Sequence, residues 1–179
     1  MGKMYLNVNQ LDYRMKKIIL LLLVLVTSVS CNAQKKFSAG ALSQKLTAFD
    51  GGTPTFGEIL RKHKGKVTVI EVWASWCGDC TKAMPKLKNL QQQHPEADYV
   101  FISMDKADDK WRAGIAKHAL AGDHYWANDE KMMKGAFGTS IDLDWIPRYI
   151  IIDSKGQVVT YRAIETDFEA MDQTLKTLQ

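Results

Sequence analysis

Cysteine is scarce: three in 179 residues, at positions 31, 77 and 80. Three cannot make the framework of a small disulfide-stapled scaffold, and their spacing separates one from a pair. No second C-x-x-C and no H-x-x-x-H accompanies that pair, so a zinc site would lack half its ligands. His63, His94, His118 and His124 share neither a helical face nor a metal spacing. Proline and glycine are few, four and twelve, which excludes a collagen-like fibre. With 46% hydrophobic and 25% charged residues, wholesale disorder is excluded as well. An excess of one charge is also missing. The formal charge is +4, but Lys3, Arg14, Lys16 and Lys17 against Asp12 place most of it before residue 32. The nearly neutral remainder gives no electrostatic reason to expect nucleic acid as a partner. Long apolar runs are absent too. Ile18 to Val26, even extended to Val29, falls short of the ~17–25 residues of a membrane-spanning helix.

That short run nevertheless has an order. Arg14-Met15-Lys16-Lys17 precedes it, and Thr27-Ser28-Val29-Ser30-Cys31 follows: the basic, apolar and small-residue sequence of a secretory signal. Small residues leading into Cys31 resemble the lipobox of bacterial lipoproteins, with Ser28 where that motif usually has Leu. The expectation is a signal segment over 1–31, its functional start at Met15, with lipidation of Cys31. Simple cleavage after Ala33 is the alternative. A polar linker over 32–47 and one domain over 48–179 complete the expected organisation.

Within that domain strands and helices alternate. Thr55-Phe56-Gly57-Glu58 fits a capping box opening a helix toward Lys64, which Gly65 ends. Val67 to Trp73 is β-branched and apolar, as in a strand buried on both faces, and Tyr99 to Met104 is a second. Met84, Leu87 and Leu90 mark a helix containing Pro85, and Trp111, Ile115 and Leu120 mark another. His124 to Trp126 reads as a short strand, and Lys131 to Phe137 as a short helix. Arg148 to Asp153 and Gln157 to Tyr161 read as a hairpin across Ser154-Lys155-Gly156. Thr166 to Glu169 fits a second capping box, with Phe168, Met171, Leu175 and Leu178 on one face of the final helix. The order implies an α/β fold, a central mixed sheet flanked by helices. Trp73, Trp111, Trp126 and Trp145 read as core or rim packing, and Lys62 to Lys66 as a solvated turn.

The chemistry concentrates in Trp73-Ala74-Ser75-Trp76-Cys77-Gly78-Asp79-Cys80, where a buried strand meets a helix. Two cysteines at this spacing can close a small disulfide ring. The first has its sulfur near the free amides and positive end of the helix, which favours thiolate. The second, one turn in, is placed to attack a mixed disulfide formed by the first.

These residues resemble the thioredoxin superfamily, specifically its exported, membrane-tethered branch of thiol–disulfide oxidoreductases (TlpA/ResA-like), over roughly Phe49 to Leu178. Trp76-Cys77-Gly78-Asp79-Cys80 is similar to the family's W-C-G-P-C centre, departing at Asp79, and Pro85 matches its helix kink. The resemblance implies a thioredoxin-like fold and a redox disulfide between Cys77 and Cys80. It implies a buried acidic residue at Glu71 and a cis Ile146–Pro147 bond against the dithiol, with Trp76 and Ile146 contacting substrate. The 105–126 segment resembles the insertion of the tethered branch. The expected activity is reduction or exchange of disulfides in envelope proteins: Cys77 attacks, Cys80 resolves and Glu71 moves protons. No cofactor or metal is expected. The implied partners are disulfide-containing envelope proteins and a membrane electron donor, with membrane contact through a lipid anchor at most. Two alternatives remain on the same scaffold. A thiol peroxidase needs P-x-x-x-T-x-x-C, where this chain has Ile70 and Ala74. A tethered binding module would keep Cys77–Cys80 as a structural bridge only.

Overall fold

The computed structural model describes residues 36–178, within a compact unit spanning Gln34–Gln179. The signal segment, Met15 and Cys31 lie outside the described residues. β2 (Thr68–Trp73) is buried along its whole length, as its unbroken β-branched run requires. It pairs in parallel with β3 (Asp98–Ser103), and β3 pairs in parallel with β4 (Asp123–Trp126). On the other side of β2, β5 (Arg148–Ile152) runs antiparallel and forms a hairpin with β6 (Val158–Ala163). β1 (Thr47–Ala48) closes the far edge against β4, giving the six-stranded order β1-β4-β3-β2-β5-β6.

Helices α3 (Gly78–Gln93) and α4 (Asp108–His118) form the two parallel crossovers. Right-handed crossovers in one direction put both on the same sheet face. Tyr99 donates to the carbonyls of Leu90 and His94 at the end of α3, and Trp73 packs edge-on against His118 of α4. Gly114 allows that approach: a Cβ there would lie 2.8 Å from both Trp73 and Ser75. α6 (Phe168–Leu178) joins this layer, with Met171 and Leu175 buried. The opposite layer holds α1 (Ala39–Leu42), α2 (Phe56–Lys62) and α5 (Ala136–Ser140), linked by Phe37, Phe56 and Phe137 stacked edge to face.

Three features differ from the sequence reading. The segment expected to be a polar linker enters the core through Phe37, Ala41 and Leu46, so the folded unit begins before residue 48. These three apolar residues have no common period because the only helix among them is four residues long. Lys131 to Phe137 is not one helix: a 3₁₀ turn at Met132–Lys134 and α5 are separated by Gly135, whose extended backbone breaks the run. The Thr55–Glu58 capping box forms as expected, whereas the Thr166–Glu169 one is replaced. Asp167 precedes α6, and its carboxylate accepts from the Ile164 amide and the Thr166 hydroxyl.

Candidate active site

The loop leaving β2 is held before the cysteines begin. Buried Asp105, just past β3, accepts the Ser75 amide (3.0 and 3.2 Å) and the Ser75 hydroxyl (2.7 Å). It also accepts the Ser103 hydroxyl at 2.7 Å, and its backbone carbonyl receives the Trp126 indole N–H. A buried carboxylate is tolerated only when satisfied in this way. Asp105 escaped the sequence reading. Its signal was the polar Ser103-x-Asp105 pair directly after an apolar strand.

Cys77 caps α3, its sulfur accepting the Cys80 amide N–H at 3.1 Å. A disulfide joins the two cysteines, with Cα atoms 5.3 Å apart. Cys80 is fully buried and Cys77 is 6% exposed, so the first sulfur alone touches the surface groove. Asp79 lies in the first turn of α3 and pairs with Lys82 at 3.3 Å. Opposite the sulfur, Ile146–Pro147 is cis, and the Ile146 carbonyl oxygen stands 3.5 Å from Cys77 Sγ. Asp144 brackets this turn by bridging buried Arg148 and Arg162. Arg148 Nε and Nη1 have no partner among the described residues.

Glu71 lies mid-strand in β2, opposite Tyr149 in the antiparallel register. Tyr149 donates its hydroxyl to Glu71 Oε1 at 3.1 Å, while Oε2 has no partner among the described residues. Complete burial pushes the Glu71 carboxyl up to about 8, the tyrosine hydrogen bond opposing it only in part. Tyr149 packs on Phe168 of α6, and α6 packs against α3. Glu71 therefore faces the helical layer that carries Cys80.

Trp76, Cys77, Gly78, Asp79, Met133, Trp145 and Ile146 line an open groove of about 220 Å³. Cys77, Trp76 and Ile146 thus meet at one surface, Pro147 adjoins them, and Cys80 and Glu71 lie inside. Trp145, read from sequence as packing, is 51% exposed here and matches Trp76 at 53%. A larger cavity, about 450 Å³, opens elsewhere between Lys62, His63, Asp98, Tyr99 and Asp123. It lies at the opposite end of the strands and holds no sulfur, so size does not mark the reactive site.

A thioredoxin-like family model matches residues 65–158, over half of the chain. Mitochondrial thioredoxin-2 of Schizosaccharomyces pombe is 30% identical over 77 residues, covering 42% of this chain and 55% of the relative. Sporulation thiol-disulfide oxidoreductase A of Bacillus subtilis is 19% identical over 96 residues, covering 54% of this chain and 58% of that protein. The chain spans about half the length of the curated relatives it matches. Among solved structures, a secreted Mycobacterium tuberculosis disulfide oxidoreductase homologous to E. coli DsbE superposes with TM-score 0.60 at 16% identity. That superposition covers 79% of this chain and all of the other, a likeness of fold. By the family match, the sheet order and the strand–CxxC–helix junction, this chain belongs to the thioredoxin-like family.

Proposed function

We propose that the protein is an exported thiol–disulfide oxidoreductase that reduces or exchanges disulfides in envelope proteins. The observation that carries this reading is the asymmetry of the Cys77–Cys80 pair. One sulfur reaches a groove and accepts a helix-start amide; the other is buried on the sheet face that holds a protonatable carboxyl. In the reductive direction Cys77 thiolate attacks a substrate disulfide. Its sulfur bonds to one substrate sulfur and the other leaves as a thiolate. Cys80 then attacks Cys77 Sγ, forming the intramolecular disulfide and releasing the second substrate thiolate. Two electrons pass from the dithiol to the substrate.

Recharging runs the other way and gives Glu71 its role. A donor thiolate attacks Cys77 Sγ, and Cys80 departs as a thiolate in an apolar interior. A carboxyl with pKa about 8 is mostly protonated at neutral pH, so it supplies the proton that departing sulfur needs. The same carboxylate later receives the proton when Cys80 attacks. Export is supported by the signal-like order of residues 14–31 and by the fold shared with a secreted disulfide oxidoreductase. Disulfide-bearing envelope proteins, a membrane electron donor and a lipid anchor on Cys31 belong to the same reading. Insulin-reduction turnover with dithiothreitol tests the activity: sustained turnover is expected, and an inert protein would leave only a binding module. Intact mass and detergent partitioning of the native protein test the anchor. A mature N-terminus at Gln34 or free partitioning into water would remove it.

A further inference from the structure

Four large apolar side chains are prominently exposed among the described residues: Phe49, Trp76, Trp145 and Val159. Phe49 is engaged, packed edge-on against Trp111 with the Arg112 guanidinium 4.6 Å above its ring. Val159 sits on β6, an edge strand. Trp76 and Trp145 have no ring or cation partner among the described residues, yet both are half exposed and both border Cys77. Met133, from the 3₁₀ turn, adds a third apolar wall. Indole surface left in water beside a reactive sulfur is a cost that an occupant removes.

We propose that Trp145 is a specificity-determining residue that, with Trp76 and Met133, seats an apolar side chain next to the attacked cysteine of a polypeptide substrate. This rests on the disulfide-exchange reading and deepens it. The occupant follows from the chemistry. Cys77 is 6% exposed and lines this groove, so a mixed disulfide brings the residues flanking the substrate cysteine against it. What they meet is two indole faces, a thioether and the Ile146 backbone, with Asp79 as the lone charged wall. An aliphatic or aromatic neighbour covers these surfaces, whereas an acidic one meets Asp79 and leaves the indoles wet. Trp145 is held in place from behind, since Asp144 before it and Arg148 after it are joined across the turn.

Two disulfide-bearing peptides, identical except for Leu or Asp beside the cysteine, give the test on the full protein with dithiothreitol as donor. For the wild type, kcat/KM should favour the Leu peptide by about tenfold, chiefly through KM, the usual size of discrimination by one apolar side chain. Trp145→Ala should shrink that ratio to about twofold or less, and Trp145→Phe should keep most of it. A wild-type ratio near one overturns the proposal. So does a Trp145→Ala variant that slows both peptides equally and keeps the ratio, since that marks a merely structural residue. Wild-type turnover of 2-hydroxyethyl disulfide separates the two levels. Its absence would sink the exchange activity itself, whereas its presence without peptide discrimination sinks only this inference.

Discussion

Where β3 and β4 begin, Asp98 and Asp123 face Lys62, His63 and Lys66 from the end of α2. His63 Nδ1 lies 2.8 Å from Asp98, Lys66 Nζ lies 3.0 Å from Asp98, and Lys62 reaches Asp123. Toward the other end of the sheet, Glu71 Oε2 in β2 and two nitrogens of Arg148 at the start of β5 have no partner among the described residues, and two tryptophans stand half in water. Both ends use polar and aromatic groups, and His124 Nδ1 at the first also has no partner among the described residues. There, however, the charged side chains are joined to one another. Groups paired with one another have spent their interactions on the fold. Groups left unpaired near a sulfur retain interactions for a substrate or a proton. The small groove is therefore the functional end, and the larger, charge-paired cavity is the clasp that fastens α2 to the sheet.

The strongest break of this contrast is at the cysteines. Cys77→Ser should abolish insulin reduction by at least ~10³-fold, as loss of a nucleophile does. Cys80→Ser should accumulate mixed disulfides visible on non-reducing gels. In the reduced wild type, limited iodoacetamide should label Cys77 before Cys80, because only the first sulfur borders the groove and accepts a helix-start amide. Equal labelling would dissolve the asymmetry on which the proposed mechanism rests.

Glu71 gives the next largest effect. With the folded carboxyl at about 8 and the unfolded one near 4.5, the folded state holds the extra proton between those values. The stability this contributes is complete below about pH 4.5 and is lost as pH rises toward 8. The slope approaches ~1.4 kcal/mol per pH unit within that window. Glu71→Gln should flatten this slope in urea melts run from pH 5 to 9. It should also slow recharging by dithiothreitol ~10²-fold and remove an inflection near pH 8, after correction for donor thiolate. An unchanged pH profile would confine Glu71 to a structural role.

The two ends were not equally legible in the sequence. β2, β3 and β5 were readable because runs such as Val67 to Trp73 leave few other places for so much β-branched apolar surface. The dithiol was readable because it sits at a strand–helix junction. What pattern does not encode is which distant side chains meet. Asp105, Arg148 and His63 are charged or polar in a linear reading, yet each is buried through partners up to 60 positions away. The basic cluster around His63 therefore read as a solvated turn, and Trp145 as packing. Phe37, Ala41 and Leu46 were lost for the opposite reason, being apolar but too irregularly spaced to announce an element.

The charge clasp sharpens the contrast from the other side. His63→Ala removes a buried ring between two aspartates and should cost ~1–3 kcal/mol of stability in denaturant melts. Insulin reduction at a temperature where the variant stays folded should match the wild type. A loss of activity without a loss of stability would mean that the two ends are coupled.

The smallest effect is expected at Asp79, where the two kinds of group meet. Its carboxylate stands in the first turn of α3, beside the amides that favour Cys77 thiolate, and so opposes the negative charge on that sulfur. Removing it stabilises the reduced, thiolate-bearing form, which raises the potential, since oxidising strength grows with stability of the reduced state. Asp79→His replaces one negative charge by a partial positive one and should move the potential upward, against a starting value nearer thioredoxin's ~−270 mV than the strong oxidant's ~−120 mV. The step should be small, ~10–30 mV. Asp79 is partly solvated and already paired with exposed Lys82 at 3.3 Å, so water and salt screen much of its field. Equilibration against glutathione buffers at low and at 0.5 M salt measures both quantities. The upward shift should shrink at the higher salt. A downward shift would reverse the assigned sign of the Asp79 field, and a wild-type potential above about −180 mV would contradict a reducing role for the dithiol.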